Sequence, residues 1–122
     1  MRCLVIGCAL LVASLSAQAT FIPGDGTDLR EYLGKYDSMR NPGFKFSNAT
    51  DAFQVGVLVG YVEGIALTLE SQKVVCPPNI GLSSANYLDI VDRYLKKTPR
   101  TEKEVGAVLI TATFQEVFPC RR

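Results

Sequence analysis

Between Phe53 and Leu69 the chain presents apolar side chains to nearly every side of a helix: Phe53, Val55, Val57, Leu58, Val59, Tyr61, Val62, Ile65, Leu67 and Leu69. A helix that is hydrophobic all round belongs inside a protein, so the rest of the fold must be built around it. Asn48 is suited to cap its start, Asp51 falls in the first turn, and the pattern runs to about Ser71. Within it Gly56, Gly60 and Gly64 repeat every four residues and form one slowly drifting stripe. Each glycine costs up to about 1 kcal/mol relative to alanine in a helix interior. Close approach of another helix, in the same chain or in a second copy, would offset that cost. A lipid bilayer is the other home for such a segment, with the small residues as a dimer face. Residues 52–69 are only marginally long enough for it, and Glu63 would be expensive in hydrocarbon.

The flanking segments read as shorter amphipathic helices. Thr27 is placed to cap a first helix over about 28–36, where Leu29, Tyr32, Leu33 and Tyr36 share a face. Asn41-Pro42-Gly43 breaks it. Ser83 or Ser84 starts a third helix over about 85–97, with Tyr87, Leu88, Val91, Tyr94 and Leu95 as its apolar face, and Pro99 ends it. Thr101 and Glu104 match a T-x-x-E capping box, which predicts a fourth helix from Glu102 to Phe118. No segment alternates as a strand would. The expected fold is all-α, a small bundle of four or more helices.

The amino terminus reads as an export signal. Arg2 supplies a positive start, Leu4 to Leu15 is apolar and uncharged, and Ala17-Gln18-Ala19 is an A-x-A site. We expect residues 1–19 to be cleaved after Ala19, leaving 20–122 as a single domain in the periplasm. Arg2, Cys3 and Cys8 leave with the signal. The mature chain then carries 12 Lys+Arg against 12 Asp+Glu, and a net charge near zero argues against nucleic acid or an anionic membrane as partner. Only Cys76 and Cys120 remain. In an oxidising compartment they most simply form one disulfide, worth roughly 4 kcal/mol by the loop-entropy argument; a pair of buried free thiols is the other reading.

The chain has no histidine. That removes Ser-His-Asp and Cys-His catalysis and leaves no His/Cys zinc site once the cysteines are paired. Glu63 is the one ionisable residue deep in the apolar helix, where a raised pKa could serve acid–base work, but pairing or outward orientation explains it as well. No glycine-rich phosphate loop follows a strand. We therefore expect no enzyme, no cofactor and no metal. The loop 71–83, carrying Cys76-Pro77-Pro78, is stiffened by two prolines and anchored by the bridge. It would present Gln72, Lys73, Asn79 and Ile80 to a protein partner at low ordering cost; a mere connector is the alternative.

Gly60-Tyr61-Val62-Glu63-Gly64, then Cys76-Pro77-Pro78, then Tyr94-Leu95 with Pro99, and finally Phe118-Pro119-Cys120 follow one another in an order and spacing that resembles the Rap/Tai family, the immunity proteins of type VI secretion amidase effectors. The resemblance covers nearly the whole mature chain. It implies a periplasmic, mostly helical and often dimeric protein that binds a peptidoglycan-cleaving amidase and blocks its cleft. By the same resemblance Cys76 and Cys120 are the bridge cysteines, and Gly60, Tyr61, Gly64, Tyr94, Leu95, Pro99 and Phe118 are framework positions. The family often has two further cysteines; their places here hold Leu33 and Leu58, which suggests an apolar contact in place of a second bridge. A general periplasmic helical binding module, or a chaperone-like envelope-stress protein, is the alternative function.

Overall fold

A computed structural model of the protein describes residues 21–121. The export signal and its cleavage site lie outside the described residues. Four α-helices follow in order: α1 Gly26–Met39, α2 Ala49–Ser71, α3 Ser84–Lys97 and α4 Gly106–Val117. No strand occurs among the described residues; two isolated bridges, Asp25 with Val105 and Val75 with Pro119, tie loop segments together. Every helix touches the other three. The shared core is Leu29, Leu33, Leu58, Val62, Leu88, Val91, Leu95, Leu109, Ile110 and Phe114, with Tyr32, Tyr36 and Tyr87 at its margin. Leu33 and Leu58, where a second bridge was expected to be replaced, both belong to this core.

Local chemistry sets most helix ends. Asn48 caps α2 by accepting from the Asp51 N–H at 2.8 Å. Ser83 and Asn86 form a reciprocal capping box at α3. Lys96 and Lys97 close that helix, where cations suit the dipole.

Two helix starts differ from the sequence reading, for one shared reason. α1 is capped by Asp25, whose Oδ1 accepts from the N–H groups of Thr27 and Asp28, rather than by Thr27. α4 begins at Gly106, not Glu102, and its cap residue Val105 offers no side-chain hydrogen bond. The T-x-x-E box does not form as a cap. The Thr101 hydroxyl instead donates to the Thr98 carbonyl at 3.0 Å and accepts from Arg30 at 3.0 Å. The carbonyls of Glu102 and Glu104 accept from Thr27 and Gly26, and Gly24 accepts from Gly106. The segment before α1 and the segment before α4 are thus laced backbone to backbone. Gly26 and Gly106 sit at the closest points, where a Cβ would stand 2.0 Å from the Thr101 carbonyl oxygen and 2.7 Å from that of Pro23. Glycine is required at both.

The expectation that α2 lies in the middle of the core is corrected. Only Val55, Leu58, Val62 and Ala66 are buried, one stripe at helical spacing. Phe53 and Leu67 are 54% and 51% exposed. Around Gly56, Gly60 and Gly64 an added Cβ would meet nothing within 4 Å. Three partner helices cover a sector of α2 and leave the remainder outside. α2 is long and apolar enough to cross a membrane by length and composition, yet its buried stripe is spent on the other helices of this domain.

Candidate partner-binding loop

α2 ends in a tight reversal. Lys73 donates its N–H to Glu70 O at 2.9 Å, and Val74 donates to Leu69 O at 2.9 Å. This is the double hydrogen bond of a Schellman ending, in which the residue after the cap takes a left-handed conformation. Lys73 does so with φ 58°, where glycine is the usual occupant. The chain turns back and buries Val75, which is 2% exposed. Cys76 donates its N–H to Phe118 O at 2.9 Å and is bonded to Cys120, with the two Cα atoms 4.9 Å apart. The disulfide therefore ties the entry of the α3–α4 pair to its exit. That pair is antiparallel: Tyr87 near the start of α3 meets Phe114 near the end of α4 edge-on at 5.6 Å.

From this anchor the loop runs outward. Gln72, Lys73, Asn79 and Ile80 are all exposed, and Ile80, at 78%, is the barest large apolar side chain in the described protein. The four do not form one cluster. Gln72 and Lys73 stand at the end of α2, whereas Asn79 borders a notch of about 330 Å³ between the last turn of α2 and the second limb of the loop. Glu70 and Tyr87 share that notch; the sequence points to Tyr87 only as part of the apolar face of the third helix and does not single out Glu70. Their separation of seventeen residues gives no local signal; Glu70 reads as a helix-end carboxylate and Tyr87 as a core aromatic. Burial, then the nearby carboxylates of Glu70 and Glu63, push the Tyr87 phenol above its ordinary pKa, so it stays neutral.

Glu63 is engaged structurally. Its Oε2 accepts from the Ser84 hydroxyl at 2.8 Å, joining the middle of α2 to the first residue of α3. A carboxylate at a helix start suits the dipole. A charged cluster, Lys35 with Glu31 and Asp51 at 2.8 and 2.9 Å, braces α1 against the start of α2. Among the described residues no group of three or more Asp, Glu or Cys side chains is placed to hold a metal ion. The glycine stripe lies apart from the loop, and Gly60 and Gly64 floor a shallow depression bordered by Thr111 of α4.

The surface thus presents an anchored loop, an apolar tip and a small notch that carries the Glu70 carboxylate. A family model described as Rap1a immunity proteins matches residues 27–120. No curated protein and no solved structure matches the chain significantly.

Proposed function

We propose, since this chain belongs to the Rap1a immunity protein family, that it is a periplasmic inhibitor that binds a peptidoglycan amidase delivered by a type VI secretion system and covers its active-site cleft. Membership implies immunity against a secreted effector, and the match over residues 27–120 is the observation that carries the reading. Amidase as the target follows the resemblance of the motifs from Gly60 to Cys120. Export follows the signal-like residues 1–19, so that residues 20–122 are the working domain.

The mechanism is steric and has no turnover. A loop held by a disulfide, a buried valine and a Schellman ending loses little freedom when it docks, so more of its contact energy appears as affinity. Ile80 supplies an apolar anchor at the tip, and Gln72, Lys73 and Asn79 supply polar contacts around it. We further propose that the chain works as a homodimer through the open face of α2. Phe53, Gly56, Gly60, Gly64 and Leu67 lie there without a charged side chain among them. An uncharged face lined with glycines can meet its own copy closely without stranding a charge.

The test is calorimetric titration of the mature chain into the amidase encoded beside it, with peptidoglycan hydrolysis followed in parallel. Stoichiometric binding that abolishes hydrolysis is expected; binding to no adjacent secreted hydrolase overturns the reading. For the dimer, light scattering on the mature chain is expected to give twice the monomer mass, and Gly60→Leu to give the monomer mass with unchanged helicity. A monomeric wild type overturns the dimer.

A further inference from the structure

We propose that the notch between the last turn of α2 and the 77–82 limb of the loop receives one basic side chain, arginine or lysine, of the protein that this chain restrains. The inference rests on the reading of the chain as an inhibitor and names what the loop would grip. The notch, about 330 Å³, lies at the lower end of the range for ligand pockets, about 300–1,000 Å³, and has room for a single long side chain. Leu67 on α2 and Pro77 and Leu82 on the loop form the apolar part of its wall. Such walls suit the methylene stem of a lysine or arginine, whose charged head then emerges at the polar end.

The polar groups lack what a cation brings. Glu70 makes no ion pair among the described residues, so its carboxylate is open to a cation from outside. Lys73, three residues along, does not line the notch. Tyr87 is 5% exposed and its ring is fixed against Phe114, yet its hydroxyl bonds to no other described residue. Among the described residues, the Arg30 Nε is the one fully buried side-chain nitrogen or oxygen left without a partner. The Tyr87 hydroxyl is therefore not sealed in, and Tyr87 is one of the residues that line the notch. A phenol oxygen that meets only solvent is free to accept a hydrogen bond from a ligand.

An incoming group must therefore bring donors to one carboxylate, one phenol oxygen and the side-chain amide of Asn79. Guanidinium and ammonium groups carry donors only, which fits that demand. An anion would meet the fields of Glu70 and Glu63 and be refused. An apolar side chain would leave Glu70 and the phenol unsatisfied. The exposed Ile80 beside the notch adds an apolar contact flanking the basic residue, so the partner surface that fits is a cation next to a hydrophobic patch.

The experiment uses the isotope-labelled mature chain, titrated with Nα-acetyl-arginine amide and, separately, with Nα-acetyl-citrulline amide, its uncharged isostere. Saturable amide-shift changes centred on Asn79, Gly81, Leu82 and Tyr87 are expected with the arginine probe and not with citrulline. Glu70→Gln should weaken the arginine probe about fivefold, as loss of a partly exposed charge pair would. Tyr87→Phe, which keeps the ring packing, should weaken it by a smaller factor. An equal response to both probes, shifts scattered over the surface, or unchanged affinity in Glu70→Gln overturns the assignment. The readout needs no amidase. Failure here with inhibition intact removes the notch alone, whereas loss of amidase binding removes the wider proposal.

Discussion

Nη1 of Arg30, on α1, lies 2.8 Å from the carbonyl oxygen of Leu95, in the last turn of α3. Nη2 of the same guanidinium reaches the Thr98 carbonyl at 2.9 Å and the Thr101 hydroxyl at 3.0 Å. One planar fork thus caps α3 at its carboxyl end and holds the turn that leads into α4. Charge-assisted hydrogen bonds are the strong ones, and leaving their acceptors unpaired in a half-buried place costs most of what they contribute. Arg30→Ala should destabilise the domain by about 2–3 kcal/mol. Arg30→Lys should recover only part of this, because an ammonium cannot span three acceptors in a plane. Denaturant titration of both variants measures the difference; equal stability of Arg30→Lys and wild type would show that charge alone suffices.

That relationship explains where sequence reading stopped. The starts of α2 and α3 are written in neighbouring residues: Asn48 with Asp51, and Ser83 with Asn86. The cysteine pair was legible because the signal-like reading of residues 1–19 leaves only Cys76 and Cys120 in the expected mature chain. The start of α4 was not legible. Thr101 and Glu104 have the right spacing for a cap, but Arg30 and Thr98, one of them 71 residues away, claim the Thr101 hydroxyl first. The burial of α2 was misread for a different reason. Periodicity reports which residues are apolar, not how many neighbours are available to cover them, and one sector was left open. In the loop, Asn79 and Ile80 were found as exposed turn residues. Glu70 and Tyr87 were missed because only the fold brings a helix end and a core aromatic to one notch.

Cys76 and Cys120 close 44 residues of chain, and the reduced unfolded state regains that freedom. Cys76→Ser/Cys120→Ser should cost about 4 kcal/mol on the loop-entropy argument, a large share of a small domain's stability. The helices α3 and α4 still meet through Tyr87 and Phe114, so the variant should keep native helicity in the cold and lose it at lower denaturant. Circular dichroism against urea measures this. An unchanged midpoint would mean that the reduced unfolded chain is already as restricted as the bridged one.

Asp51 accepts hydrogen bonds from Lys35, Ser47 and Asn48, and the first of these does most to hold its carboxyl below the ordinary value of 3.8. Hydrogen bonds that Lys35 donates to Glu31 and then to Asp51 raise its pKa above 10.5. A carboxylate with a lowered folded pKa contributes stability that is fully present above its unfolded pKa and fades as pH falls through the folded one. The raised lysine contributes below its unfolded pKa and fades as pH rises through its folded value. The brace between α1 and α2 should therefore be whole across the neutral range. Asp51→Asn should lower the urea midpoint at neutral pH, and the gap from wild type should close by about pH 2. A gap that persists in acid would locate the effect in the Asn48–Asp51 cap rather than in the ion pair.

Lys73 holds a left-handed backbone at φ 58° in a position that costs a side chain about 1–2 kcal/mol and glycine almost nothing. The Schellman hydrogen bonds to Leu69 and Glu70 need the conformation but make no use of the side chain. Lys73→Gly should therefore stabilise the domain by about 1 kcal/mol, after the glycine's larger unfolded freedom is allowed for. The lysine is exposed and forms no ion pair among the described residues, so folding does not account for its presence. If it serves the partner surface, the same substitution that raises the unfolding midpoint should weaken binding to the adjacent amidase while leaving the path of the loop unchanged. Stability and affinity measured on one variant separate the two roles. A gain in stability with no loss of affinity would place Lys73 outside the contact and leave Asn79 and Ile80 as the side chains to examine.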